Sequence, residues 1–246
     1  MTVRFVGAGP GAADLITVRG LRAIAMSPVC LYAGSLVPED LLGQCPPGAH
    51  KVDTARMTLD EIVAELVAAH EAGHDVARLC SGDPAVFSAV AEQSRRLDEA
   101  GVPWEIVPGV PAFAAAAAAL RTELTVPGVG QSVVLTRDAA NATPMPEGES
   151  LDVWAAAGGT LVLHLAVQRC AEVVGKLLAH RPPHEPVAVV ARASRPDEVV
   201  LRGTLADIAE RVEAAGIRRT AVIVVGPVVG LEQGCESHLY SASRER

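Results

Sequence analysis

Strand-like and helix-like stretches alternate along almost the whole chain, and this constrains the fold more than any other feature. VRFVG reads as a strand and TVRGLRAIAMS as a helix with Thr17 as its cap. VCLYA and HKVD read as strands. TLDEIVAELVAAHEAG reads as a helix opened by Thr58 and Glu61 at capping-box spacing, where each satisfies a backbone N–H of the other's turn. DVARLC then reads as a strand, AVFSAVAEQSRRLDEAG as a helix, WEIVPG as a strand and AFAAAAAALRT as an alanine-rich helix. ELTVPGVGQ, with its proline and two glycines, breaks the pattern. A second alternating set runs from SVVLTR to TAVIVVG, with EVVLRGTL as an added strand. The pattern predicts an α/β protein: two α/β domains with mostly parallel or mixed sheets. The expected bounds are 1–122 for the first domain, 123–130 for a linker and 131–246 for the second. A chain of 246 residues, 50% of them hydrophobic, can bury a core in each.

Charge and cysteine usage remove several function classes. The net charge of −8 argues against a non-specific nucleic-acid binder, which carries a basic surface. No apolar run reaches the roughly 18 residues of a membrane helix. The first 14 residues are glycine-rich and include an acid, so a secretory leader is not expected and the location expected is cytoplasmic. The five cysteines, Cys30, Cys45, Cys80, Cys170 and Cys235, are scattered and never form CxxC, which fits small buried residues in a reducing compartment. HEAGH, His70 to His74, fits the HExxH pattern of zinc proteases. That chemistry needs both histidines on one face of a continuing helix. Gly73 should stop the helix first, so no metal site is expected.

VGAGPGAAD, Val6 to Asp14, raises the question of a dinucleotide fold, because Gly7-x-Gly9-x-x-Ala12 fits a relaxed GxGxxG/A. The fingerprint requires a tight turn opening directly into a helix and an acid at the end of the next strand. Here Pro10 interrupts the turn, the amphipathic run begins only after AADLIT, and the next strand ends in YAGSLV. A loop whose backbone approaches a ligand survives this test. A pyrophosphate site does not.

Several blocks in order carry a stronger signal. VGAGPGAADLITVRGLRAI, RLCSGDPAVFSAV, EIVPGVPAFAAAAAAL, GTLVLHLAV, VAVVARASRPDE and TAVIVVGPVV together resemble the tetrapyrrole (uroporphyrinogen and precorrin) methyltransferases over nearly the whole chain. LYAGSLVPEDLL, LTRDAANATPMPEGESL and ESHLYSASRER resemble a precorrin-methylating subgroup of cobalamin biosynthesis. That subgroup often carries an arginine just before the Thr-Pro; here Ala142 precedes Thr143 and Pro144. The resemblance implies two α/β domains, usually in a homodimer, with S-adenosylmethionine bound in the cleft between them by loop main chain. It carries the cofactor contacts onto Pro10, Gly82, Asp83, Pro84, Phe87, Pro111, Ala112, Leu165 (where relatives often have methionine), Ala193 and Ala221. Glycines at such loops let backbone N–H and C=O groups approach a ligand, and prolines fix the path.

The implied reaction moves a methyl from the sulfonium to carbon 11 of a precorrin-4 tetrapyrrole, metal-free or cobalt-containing. Collinear positioning is the main requirement, and orientation of this kind supplies up to about 7–11 kcal/mol. Methylation at a fully substituted carbon leaves no ring proton to remove, so no catalytic side chain is named. The substrate's acetates and propionates call for arginine forks and loop N–H groups. Arg56, Arg78, Arg121 and Arg137 lie near expected strand ends or loops, and Tyr32 and Ser35 in YAGSLV are the expected trough floor. Two rival readings stay open: a dinucleotide oxidoreductase using the first loop, and a carrier that binds a nucleotide-like ligand without chemistry.

Overall fold

The computed structural model describes residues 1–138 and 143–231, with the side chain of Ser35 outside that description. The tail block ESHLYSASRER, Cys235 and Ala142 therefore lie outside the described residues. The chain divides into two compact units, Met1–Ala115 and Ala116–Arg246.

The first unit is a parallel sheet. Its strands are β1 (Val3–Gly7), β2 (Val29–Tyr32), β3 (His50–Asp53), β4 (Val76–Cys80) and β5 (Trp104–Val107), in spatial order β3-β2-β4-β1-β5. Helices α1 (Val18–Met26), α2 (Glu39–Leu42), α3 (Leu59–Glu71) and α4 (Val90–Glu99) connect them. The unit boundary falls inside α5 (Ala112–Leu120). Both sheet faces are covered, as the apolar strands require. Val3, Phe5, Leu31 and Val76 pack with Ile62, Leu66 and Leu97 of α3 and α4. Val6, Cys30, Ala77 and Leu79 pack with Ala23 and Ile24 of α1.

The local signals explain the helix ends. Thr17 Oγ1 accepts from the Gly20 N–H at 3.1 Å. Thr58 Oγ1 accepts from the Glu61 N–H, and Glu61 accepts from the Thr58 N–H at 2.6 Å, so the expected capping box forms. Thr58→Ala is expected to destabilise the protein by about 1 kcal/mol. A lower urea midpoint with an unchanged slope would show this; an unchanged midpoint would deny the cap any contribution. At the other end α3 stops at Glu71, with Gly73 at φ +79°, and His74 lies beyond the helix that carries His70. Among the described residues no group of three or more His, Cys, Asp or Glu is placed to hold a metal.

One helix differs from its expected start. The stretch from Ala85 was expected to be helical, but α4 begins at Val90. Asp83 holds the intervening chain: its Oδ1 accepts from the Ala85 N–H at 2.8 Å and its carbonyl accepts from the Ser88 hydroxyl at 3.0 Å. Phe87 and Ala89 take left-handed φ values of 51° and 52°. Ala85–Ala89 is thus a loop pinned to the end of β4.

The second unit holds a mixed sheet of β6 (Val133–Arg137), β7 (Thr160–His164), β8 (Pro186–Ala191), β9 (Val199–Thr204) and β10 (Ala221–Val225), in order β6-β7-β10-β8-β9. Only β6 and β7 run parallel. Val199–Thr204 is the added strand expected from EVVLRGTL. Helices α6 (Leu151–Ala157), α7 (Cys170–Leu178) and α8 (Ile208–Ala214) cover Leu161, Leu163, Val187, Val189 and Ile223. Residues 123–130 belong to this unit, and the Thr160 hydroxyl donates to the Leu124 carbonyl at 3.1 Å. Cys30, Cys80 and Cys170 are buried, and burial pushes the thiols of Cys80 and Cys170 up to about 11. Among the described residues no helix is long and apolar enough to cross a membrane.

Candidate functional site

In an open parallel sheet the loops at the carboxyl ends of the strands form the ligand crevice. All the expected site loops of the first unit leave that edge. Pro10 follows β1, Ser35 follows β2, Gly82 to Phe87 follow β4, and Pro111 and Ala112 follow β5.

These loops meet backbone to backbone. Gly9 and Gly82 form an isolated antiparallel bridge, with Gly82 N–H to Gly9 carbonyl at 2.8 Å and Gly9 N–H to Gly82 carbonyl at 3.2 Å. A Cβ on Gly7 would lie 2.5 Å from the Gly109 Cα, and one on Gly109 would lie 2.4 Å from the Gly82 oxygen. Only glycine fits either position. Asp83 locks the arrangement: one oxygen accepts from the Gly109 N–H at 2.7 Å and the other from the Ala85 N–H. The Thr17 hydroxyl donates to the Pro108 carbonyl at 3.2 Å. Thus Pro10, Gly82, Asp83, Pro84, Pro111 and Ala112 belong to one loop cluster. Pro10, Gly82 and Pro84 are buried within it, whereas Phe87 projects with 47% of its surface exposed.

The expected residues of the second unit also gather. Leu165 follows β7, Ala193 follows β8 and Ala221 opens β10. Because β10 runs antiparallel to both neighbours, the start of β10 lies beside the ends of β7 and β8. The Arg192 N–H donates to the Thr220 carbonyl at 2.7 Å across that edge. Leu165 is 71% exposed, with φ at 55°, while Ala193 is buried. The neighbouring His164 is held below the usual histidine pKa by burial, which favours the neutral imidazole.

Left-handed backbone occurs at both clusters. Among the described residues, the non-glycine positions with positive φ are Phe87, Ala89, Arg121, Leu165, Arg192, Ser194 and Thr220. Phe87 and Leu165 are themselves expected contacts, Arg192 and Ser194 flank Ala193, and Thr220 precedes Ala221. Such residues cost of order 1–3 kcal/mol each and concentrate where a ligand must be held.

The expected substrate residues fare differently. Tyr32 ends β2 half-buried, and its carbonyl accepts from both the N–H and the hydroxyl of Thr54. Ser35 lies in a 3₁₀ turn, Gly34–Leu36, with its side chain outside the described residues. Arg78 requires correction. It is only 8% exposed, with Nε and Nη1 engaged by Gln93 and Thr54, so it is not an open fork for carboxylates. Arg121 has a different setting. It lines a cleft of about 430 Å³ with Pro186, Arg202 and Gly203, at the opposite edge of the second sheet from Leu165, Ala193 and Ala221. Arg137 ends β6, where its Nη2 donates to the Thr143 carbonyl, and Arg56 is exposed.

Sequence reading missed two features. The Gly7–Gly109 crossing joins residues about a hundred apart, and nothing local announces it. Asp138, following β6, is buried between Lys176 at 2.6 Å and Arg169 at 3.4 Å. The acid directly after a strand was visible, but its cations lie a helix away.

Comparison with known proteins decides the family. The sequence pattern of the Tetrapyrrole (Corrin/Porphyrin) Methylases matches residues 2–209. The chain belongs to that family. A precorrin-4 C(11)-methyltransferase of Rhodococcus erythropolis is 62% identical over 246 residues, covering 100% of this chain and 99% of that one. The solved structure of a cobalt precorrin-4 methyltransferase is 40% identical, with a TM-score of 0.89 over 93% of this chain and 95% of the other. A uroporphyrin-III C-methyl transferase from Thermus thermophilus, solved in complex with S-adenyl homocysteine, is 32% identical, with a TM-score of 0.80 over 94% of this chain and 99% of that one. As a tetrapyrrole methylase, the chain has a reason for loops built from glycine and proline rather than from acids and bases. The dinucleotide reading of the first loop gives way, since β1 is followed by a bridge to Gly82 and a single 3₁₀ turn, Ala13–Leu15, and α1 begins only at Val18.

Proposed function

We propose that this protein is an S-adenosylmethionine-dependent methyltransferase that acts on carbon 11 of precorrin-4 in cobalamin biosynthesis, giving precorrin-5. The 62% identity to a precorrin-4 C(11)-methyltransferase along the full chain carries the reading. The metal-free substrate is preferred over the cobalt-containing one on the same ground, since the solved cobalt precorrin-4 enzyme stands at 40%.

The residues fit an adenosyl sulfonium. The donor set at the β1, β4 and β5 ends is main chain held open by glycines, and Asp83 is occupied in fixing Gly109 and Ala85. When bound, the cofactor supplies the electrophilic methyl group. The chain's part is to hold its loops rigid before binding, so that little ordering remains to be done. Phe87 and Leu165 offer exposed apolar surface on strained backbone, suited to exclude water. No base is assigned, because the methylated carbon carries no proton. Leu165, Ala193 and Ala221 are assigned to the cofactor by the family resemblance. A cytoplasmic homodimer completes the proposal.

Titration calorimetry with S-adenosylhomocysteine and with NAD(H) tests the cofactor. Saturable binding of the first and none of the second is expected. The reverse would replace a methyltransferase with a dinucleotide enzyme.

A further inference from the structure

Arg78 sits on β4 in the interior of the first unit, and among the described residues no carboxylate is paired with it. Burial draws its pKa below the ordinary arginine value, but a guanidinium stays charged at neutral pH. A buried unpaired charge is costly, so its hydrogen bonds indicate its use. Nη1 donates to Thr54 Oγ1 at 3.0 Å, and Nε donates to Gln93 Oε1 at 3.2 Å. Each partner hands the restraint on to a loop. Thr54 donates to the Tyr32 carbonyl through its hydroxyl at 3.0 Å and its N–H at 2.8 Å. Its neighbour Asp53 accepts from the Gly34 N–H at 2.9 Å. Gln93 Nε2 donates at 3.2 Å to the carbonyl of Ala89, the left-handed residue that closes the loop begun at Gly82. One cation therefore stands at the root of two loops, through one intermediary on each side.

We propose that Arg78 is a positioning residue that braces the loop after β2 and the loop after β4, holding Tyr32 toward the tetrapyrrole and the Gly82–Phe87 loop toward the cofactor. This rests on the methyltransferase reading above. The planar fork explains the choice of arginine, since a lysine ammonium could not present two divergent donors in fixed geometry.

Three variants separate the branches. Thr54→Val keeps the shape and the backbone N–H bond to Tyr32 but removes the hydroxyl that joins Arg78 to that carbonyl, Gln93→Leu cuts the Ala89 branch, and Arg78→Met removes the cation from both. Each is assayed for tetrapyrrole KM, for S-adenosylhomocysteine Kd by calorimetry and for thermal midpoint. Thr54→Val is expected to raise KM about 5–20-fold with Kd within about two-fold, as the loss of the hydroxyl's two hydrogen bonds implies. Gln93→Leu should do the opposite, and Arg78→Met should raise both. Arg78→Lys should restore at most one of the two constants. If Thr54→Val and Gln93→Leu each move KM and Kd together, or if all three variants change only the thermal midpoint, the brace is refuted and Arg78 is merely structural. If the wild-type protein binds no S-adenosylhomocysteine and transfers no methyl, the functional reading itself fails and takes this role with it.

Discussion

Gly109→Ala should abolish S-adenosylhomocysteine binding and destabilise the protein by about 3 kcal/mol, at the upper end of overpacking costs. The added methyl would stand 2.4 Å from the Gly82 oxygen, 2.7 Å from the Gly7 Cα and 2.9 Å from the Gly7 carbonyl carbon. All three are backbone atoms, at the ends of β4 and β1. Relief would require moving a strand of the parallel sheet or breaking the Gly9–Gly82 bridge that closes the cluster. A flexible side chain could swing aside; these atoms cannot. Gly175→Ala is the matched control. It lies exposed in α7 with nothing within 4 Å of the new Cβ, and alanine there should stabilise the helix by roughly 0.5–1 kcal/mol. Chemical denaturation and calorimetry on both variants read the result. Near-native stability and affinity in Gly109→Ala would mean that the three loops are not in backbone contact.

Asp83→Ala should weaken S-adenosylhomocysteine binding about 30–100-fold, the equivalent of about 2–3 kcal/mol for two charge-assisted hydrogen bonds at a partly exposed group. One carboxylate spans two loops, taking the Gly109 N–H at 2.7 Å and the Ala85 N–H at 2.8 Å. Without it the Gly109 N–H loses its partner, and the Ala85–Ala89 loop loses the acceptor that stops it from extending α4. Asp83→Asn keeps one carbonyl acceptor and should fall between wild type and alanine. The Asp83→Ala affinity, measured by calorimetry, decides the point. A Kd within two-fold of wild type would show that the loops hold their conformation without the clamp.

Local signals in the sequence were read well because their physics is local. Thr17 and Thr58 cap the helices they were expected to cap, since a cap is decided within four residues. The stop at Gly73 followed from glycine's access to positive φ. The alternation of elements gave two α/β units because hydrophobic period is written along the chain. Tertiary facts were harder to read. Ala85–Ala89 has helical composition, yet a carboxylate two residues upstream captures its first N–H. Arg78 looked like an exposed fork because strand ends often carry one, and the sequence does not reveal that Thr54 and Gln93 fold over it. Arg121 was expected near a loop, and no local signal reveals that it shares a cleft with Pro186 and Arg202. The loops expected to hold the cofactor were assigned through ordered motifs, and the left-handed backbone at Phe87, Leu165 and Thr220 had no local signal to announce it.

The most direct test of the account is mass analysis of the tetrapyrrole after incubation of the purified protein with S-adenosylmethionine and precorrin-4. The account predicts a product heavier by one methyl group, attached at carbon 11, formed together with S-adenosylhomocysteine. Recovery of unmethylated precorrin-4 from a folded protein that binds the cofactor, or a methyl at another ring carbon, would contradict it.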